Sequence, residues 1–307
     1  MTIEEPKKDS AAPRWWPLIC ALAGALFFAA AWPSLDARGL WIDEMRTGYA
    51  TIAHDALRMS VLRYIVLNDP AGPLHTLLTA GFCSLAGNSD AMLRLPPLAF
   101  MSLCVCAFGM LARRFLAPGA SFAALLLFAF SMNTLYFAQE ARPYAMLLFW
   151  SLLSYLLAAL EPDNPRRRAG LFALAFIPGM YTHIVFAFVI ANCVLHEWLV
   201  DRNAPGAGTR AQDGDSGARP APLALLRQRM PATAGAAAAA LAYLPWFIVL
   251  LTRSADPSRT PDVTHSLGKT ALVALSGLFT GNAYAPMKFM AMASAAAMIL
   301  WLYGLAR

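Results

Sequence analysis

A chain of 307 residues with 59% hydrophobic and only 14% charged residues is too apolar to clothe an ordinary soluble surface, so its composition is that of a membrane protein. Eighteen Phe, nine Tyr and eight Trp also exclude an intrinsically disordered chain, because so much apolar surface has to be buried. The net charge of +6 sits in short clusters beside apolar runs, which is the pattern of membrane topology and not of a nucleic-acid-binding stripe.

An apolar run of roughly 20 residues is needed to cross a bilayer core, and the first begins at Trp16 and ends at Leu35. Lys7, Lys8 and Arg14 precede it, and it is longer than a signal-peptide core, so it reads as a retained signal anchor behind a cytoplasmic tail, residues 1–15. The segment Asp36 to Arg94 follows. In it Met45, Tyr49, Ile52 and Ala56 recur at helical spacing, as do Leu74, Leu77, Leu78, Phe82 and Leu85 after Pro73; both stretches are too short to span and read as amphipathic helices at the membrane interface.

Further spans are expected over Leu95 to Ala112, Ser121 to Ala138 and Tyr144 to Leu160. The apolar stretch Gly170 to Leu199 is too long for one helix and divides near Tyr181, Thr182 and His183 into a hairpin of two short helices. Asn203 to Pro222, rich in Gly, Ala, Pro and Asp, is a flexible linker, and Ala232 to Leu251 and Met287 to Leu305 complete the set. The sum is an all-α, polytopic transmembrane helical bundle of about eight spans, with interfacial helices in its first extracytoplasmic loop. Short basic loops stay inside, which puts Arg113, Arg114, Arg166, Arg167, Arg168 and Arg202 in the cytoplasm. The loop 36–94, the sequence QEARPY and the turn at residues 181–183 then face outward.

Polar residues at helix ends often only cap helices or reach to headgroups, and several here have that ordinary explanation. Asp43 and Glu44 fit an N-cap region; Glu140 and Arg142 fit an internal ion pair; His75 and His183 fit hydrogen-bonded interfacial residues; His54, His196 and His265 carry no assignment. What favours chemistry is their convergence. The topology gathers Asp43, Glu44, Asp69, His75, Gln139, Glu140, Arg142, Tyr144, Tyr181 and His183 on one side of one membrane, where carboxylates can activate a hydroxyl and an Arg beside aromatic rings can hold a phosphate. The five Cys include no CxxC pair and no zinc spacing with His, so neither a disulfide framework nor a structural zinc is expected.

Taken in order, WIDE after the first span, GPLHTLLTAGFCSLAG leading into SDAMLRLPPLAF, then LYFAQEARPYAMLL, MYTHIVFAF and LAYLPWFIVLL resemble the polytopic glycosyltransferases of the GT-C superfamily. The resemblance is to the bacterial branch related to protein O-mannosyltransferases and aminoarabinose transferases, and it runs from about Trp16 to Leu251. It implies a catalytic module over residues 16–202, the linker 203–222 and further transmembrane helices over 223–307. It implies an enzyme of the cell (inner) membrane that moves a sugar from a polyprenyl-phosphate donor to a hydroxyl of a lipid, glycan or protein at the extracytoplasmic face, with inversion. Membrane lipids would be its other partners; no nucleic acid is expected, and no cofactor is specified, a divalent metal being left open. In this resemblance Asp43 matches the general base with Glu44 beside it, and Glu140 and Arg142 stand in the turn expected near the donor phosphate and sugar; with Gln139, Tyr144, His75, Tyr181 and His183 from the convergence above they make up the expected substrate-binding set.

Two features depart from the family pattern. A His-Pro-Pro-Leu sequence is common before the interfacial helix in such enzymes, whereas here Ala71, Gly72, Pro73 and Leu74 stand there, with His75 next. Relatives are also longer, so a fragment, a short paralogue or a degenerate copy is expected. A noncatalytic membrane partner of the same fold and a transporter remain the competing readings, the second weakened by charges that gather at one surface instead of mid-membrane.

Overall fold

The structure, a computed structural model, describes residues 13–52, 59–68, 72–160, 164–202 and 230–254. His54, Asp69, His265, the 203–222 linker and the expected span at 287–305 lie outside them. The chain divides into a unit ending at Leu250 and a second from Leu251, and the fold described is that of the first. Among the described residues every regular element is a helix, as the composition and periodicity require.

The helices are α1 (Trp16–Ala31), α2 (Ile42–Thr51), α3 (Val61–Asn68), α4 (Pro73–Ala86), α5 (Asp90–Phe115), α6 (Pro118–Ala129), α7 (Met132–Ala138), α8 (Tyr144–Leu160), α9 (Pro165–Thr182), α10 (Ala187–Arg202) and α11 (Pro231–Ser254). Among the described residues three helical runs are long and apolar enough to cross a membrane: Trp16–Ser34, Asp90–Phe115 and Pro231–Thr252. Counting α6 with α7 as one broken span makes four, while α8 and Ile184–Leu199 are apolar but shorter.

Local chemistry sets where these helices start and stop. Pro stands at the first turn of α1, α4, α6 and α9, where its missing N–H is not needed. Ser89, Ser131 and Asn164 cap α5, α7 and α9, each side chain accepting from a backbone N–H of the first turn. The cap at Ser131 explains a correction: the run 121–138 is not one straight helix but two, bent by 51° at Phe130 and Ser131. The side chain of Ser131 takes the Thr134 N–H at 3.1 Å, which starts a new helix instead of continuing the old one.

The break expected within 170–199, near Tyr181 to His183, is present. α9 ends at Thr182, His183 is extended, and a short 3-10 turn (Ile184–Phe186) leads into α10. On α10, Glu197 accepts from the backbone N–H groups of Ala232 and Thr233, at 2.9 and 3.0 Å, so its carboxylate serves the first turn of α11.

Among the described residues two large apolar cores result, besides two small clusters. One is built from α1, α5, α6, α7 and α8, with Leu98, Met101, Val105 and Leu125 fully buried. The other joins the far face of α8 to α9, α10 and α11 around Phe172, Phe176 and Phe186. α1 lies close along α5 because small residues meet there. A Cβ on Gly24 would come within 2.7 Å of the Ser102 carbonyl oxygen, and one on Gly109 within 2.7 Å of the Cys20 sulfur. The buried Trp16 indole donates to the Gly109 carbonyl at 3.0 Å and fixes the same pairing. Gly24→Val is therefore expected to destabilise the chain by about 1–3 kcal/mol, because the Ser102 backbone has nowhere to go. A melting temperature in detergent equal to that of the unaltered chain would show that α1 does not pack so tightly.

Between α1 and α5 the described residues include three short helices where periodicity indicates two. α3, eight residues long, begins where the Ser60 hydroxyl accepts the Arg63 N–H. All three are too short to span. On α2 the buried face is the polar one, with Glu44 and Thr47, while Ile42, Met45 and Tyr49 are exposed. That inversion suits a helix whose outer side meets lipid, and it turns the acidic residues toward the rest of the protein.

Candidate functional site

The site is assembled at the junction of α2, the start of α4, the start of α5 and the 139–143 turn between α7 and α8. Its frame is one buried ion pair. Arg94, in the first turns of α5, and Glu44, in the first turn of α2, are both fully buried and lie 2.8 Å apart. All five guanidinium N–H donors of Arg94 are used: two on the Glu44 carboxylate and one each on the carbonyls of Leu35, Arg38 and Gly39. Glu44 is equally saturated, since it also accepts from the backbone N–H groups of Ala141 at 2.9 Å and Trp41 at 3.2 Å.

The pair thus clamps the 35–39 loop, α2, α5 and the 139–143 turn onto one another. Burial acts to raise the Glu44 pKa, but the bonds from Arg94, Ala141 and Trp41 outweigh it and hold the carboxyl below its usual range. Such a group stays ionised and accepts no proton near neutral pH. Further bonds pin the turn: Thr47 donates to the Ala141 carbonyl, Gln139 donates to the Ser34 hydroxyl, and Arg38 donates to the Gln139 carbonyl while lying over the Tyr136 ring.

Around this frame stand side chains that are buried but not saturated. Arg142 donates to the Asp43 carbonyl at 3.3 Å and lies near Tyr144, with its Nε left without a partner. Glu140 has one carboxylate oxygen unpartnered, and both ring nitrogens of His75 and the hydroxyl of Thr79, one turn along α4, are in the same condition. Buried polar atoms are normally paired, so this group of unpaired ones makes the junction the candidate site. Asp43, half-buried beside its saturated neighbour, has its carboxylate close enough to add to the negative field at Glu140.

Charge is distributed unevenly among them. Burial, with the nearby positive charge of Arg142, pushes His75 down to about 3, so its imidazole is neutral. Burial chiefly, with repulsion from Glu44 and Asp43 set against attraction to Arg38 and Arg142, pushes Glu140 up to about 7. Because the folded pKa lies above the ordinary 4.5, the folded chain binds more protons than the unfolded chain between those values, and stability falls as pH rises through that window. Glu140→Gln removes this liability. The variant is expected to gain melting temperature over the unaltered chain at pH 8 and to show little difference at pH 5; an equal gain at both would mean that Glu140 does not titrate there.

The structure therefore gathers Asp43, Glu44, His75, Gln139, Glu140, Arg142 and Tyr144. Tyr181 and His183 are used elsewhere: the Tyr181 hydroxyl donates to the Ala242 carbonyl on α11 at 2.7 Å, and His183 Nδ1 accepts the Val185 N–H. Their backbone nonetheless abuts the site. The Gly72 N–H donates to the Thr182 carbonyl at 3.1 Å, and a Cβ on Gly72 would collide with the Tyr181 carbonyl, so only glycine lets α4 start there and carry His75 inward. Arg94 is the residue that sequence reasoning missed. The one available signal was an Arg set into an otherwise apolar helical run just before Pro96 and Pro97. Among the described residues no three His, Cys, Asp or Glu side chains come together as a metal site would require.

Residues 69–203 are similar to the protein family described as dolichyl-phosphate-mannose-protein mannosyltransferase. That segment takes in all of α4 to α10, and with them His75, Arg94 and the 139–143 turn, but not Asp43 or Glu44. No curated protein and no solved structure matches the chain.

Proposed function

We propose that this chain is a membrane glycosyltransferase of that family type, taking a sugar from a polyprenyl-phosphate donor and passing it, with inversion, to an acceptor hydroxyl at the extracytoplasmic face. The observation that carries the proposal is the set of unsaturated buried groups, Arg142, Glu140 and His75, beside a half-buried Asp43, within and next to the segment similar to the family. In the reaction the acceptor O–H gives its proton to the Asp43 carboxylate while its oxygen bonds to C1 of the sugar. The C1–O bond to phosphate breaks, and its electron pair leaves on the polyprenyl phosphate.

Arg142 offers N–H donors to the charge that develops on the departing phosphate. Neutral His75 can donate one further hydrogen bond, to a sugar hydroxyl or a phosphate oxygen, without adding charge. Glu44 is a positioning residue: saturated by Arg94, Ala141 and Trp41, it holds α2 so that Asp43 faces the turn. Glu140 and Tyr144 orient Arg142 and line the sugar side, while Gln139 fixes the turn through Ser34.

Arg142→Ala is expected to weaken donor binding by about 10-fold or more, and Arg142→Lys to restore only part of it, because an ammonium is a point charge where a guanidinium grips two oxygens. Donor affinity and melting temperature are measured on the same variants. Normal donor affinity combined with early melting would make the turn purely structural and displace the donor site from Arg142.

A further inference from the structure

A second feature lies at the other end of the bundle. Arg94 and Arg114 stand near opposite ends of α5, a helical separation of about 30 Å, which is the thickness of a bilayer core. Beside Arg114 a cavity of about 450 Å³ opens between α5, α8 and α10. Leu111, Phe115 and Tyr155 give it an apolar and aromatic wall; Arg114, Asn192 and His196 supply its polar groups. None of these residues takes part in the site described above.

Three facts describe what would fit. Arg114 spends one Nη donor on the Ala159 carbonyl at 2.6 Å, which fixes the guanidinium at the rim and leaves its remaining N–H groups for a ligand. Arg168 likewise donates to the Ala158 carbonyl, so two cations cap the end of α8 at the cavity wall, with Arg166 and Arg167 on the same first turn of α9. The carboxylate nearest in sequence to His196, that of Glu197, is turned to α11, where it is bonded to Ala232 and Thr233. Among the described residues the cavity is therefore cationic at its rim, apolar along its wall and placed where a membrane helix ends.

We propose that this cavity binds the phosphate headgroup of an anionic glycerophospholipid, with the upper part of one acyl chain along Leu111, Phe115 and Tyr155. A basic pocket between transmembrane helices at the bilayer surface has the chemistry for such a headgroup: guanidinium and amide donors for the phosphodiester oxygens, and an open side toward lipid for the chains. A soluble phosphate would use the cations but gain nothing from the apolar wall. The proposal is independent of the catalytic reading.

The test uses the full chain purified in a neutral detergent and titrated with phosphatidylglycerol, phosphatidylcholine or inorganic phosphate, with bound lipid counted by native mass spectrometry. Phosphatidylglycerol is expected to bind about tenfold or more tightly than phosphatidylcholine, and Arg114→Glu to abolish that preference. Leu111→Trp fills the cavity and leaves every charge in place, so it should displace the lipid as well, and it guards against a fold lost through Arg114. Melting temperatures identify the variants that remain folded. Equal binding of the two lipids, unchanged binding in a folded Leu111→Trp chain, or displacement by millimolar inorganic phosphate would each overturn the proposal.

Discussion

Replacing Arg94 with Ala is expected to lower the stability of the chain by about 3–5 kcal/mol, the range for breaking a buried ion pair by removing one partner. The reason is in the geometry. Arg94 satisfies Glu44 and three backbone carbonyls at once, so its loss leaves a buried carboxylate and the carbonyls of Leu35, Arg38 and Gly39 without a partner. Arg94→Lys should not rescue, because one ammonium with three donors cannot replace five in a planar fork. Glu44→Gln keeps the shape and loses the charge, and should fall between Arg94→Ala and the unaltered chain. Thermal melting of the detergent-solubilised chain measures all three. An Arg94→Ala chain that melts with the unaltered protein would mean that α2 and the 139–143 turn are held by something other than this pair.

Asp43→Asn is expected to remove sugar transfer by about 100-fold or more while leaving the melting temperature unchanged. Asparagine has nearly the shape of aspartate but cannot take the acceptor's proton. The Asp43 side chain is half-buried and its part in the frame is made through its backbone carbonyl, so the substitution leaves the bond from Arg142 in place. The contrast with Glu44 is the useful one: a change at Glu44 should act through stability, a change at Asp43 through rate alone. A folded Asp43→Asn chain with full activity would remove Asp43 as the base.

How much of this was legible in the sequence depended on the range of the interaction involved. The three long spans could be read because a bilayer demands long apolar runs, and the corner at Tyr181 to His183 because thirty apolar residues are too many for one helix. The gathering of Asp43, His75, Glu140 and Arg142 followed from topology alone. The break at Ser131 was missed because one capping hydroxyl decides it inside a uniformly apolar run, and α3 because eight residues carry too little periodicity to stand out.

Side-chain pairing was the part that sequence could not supply. Asp43 and Glu44 are adjacent acids in the chain and look alike there, yet one is saturated and the other is not, and the difference comes from an Arg 50 residues away. Tyr181 and His183 illustrate the converse. Only their backbone abuts the site, while their side chains bond to Ala242 and Val185, choices set by packing against α11 and by the 3-10 turn.

The most direct measurement is transfer itself. The purified full chain is given a radiolabelled polyprenyl-phosphate mannose and an acceptor bearing a free hydroxyl, and the product's anomeric configuration is read by NMR. The account expects labelled product with the opposite anomeric configuration to the donor, formed by the unaltered chain and lost in folded Asp43→Asn. A folded, donor-binding chain that forms no product with any hydroxyl acceptor, or one that forms product with retained configuration, would contradict it.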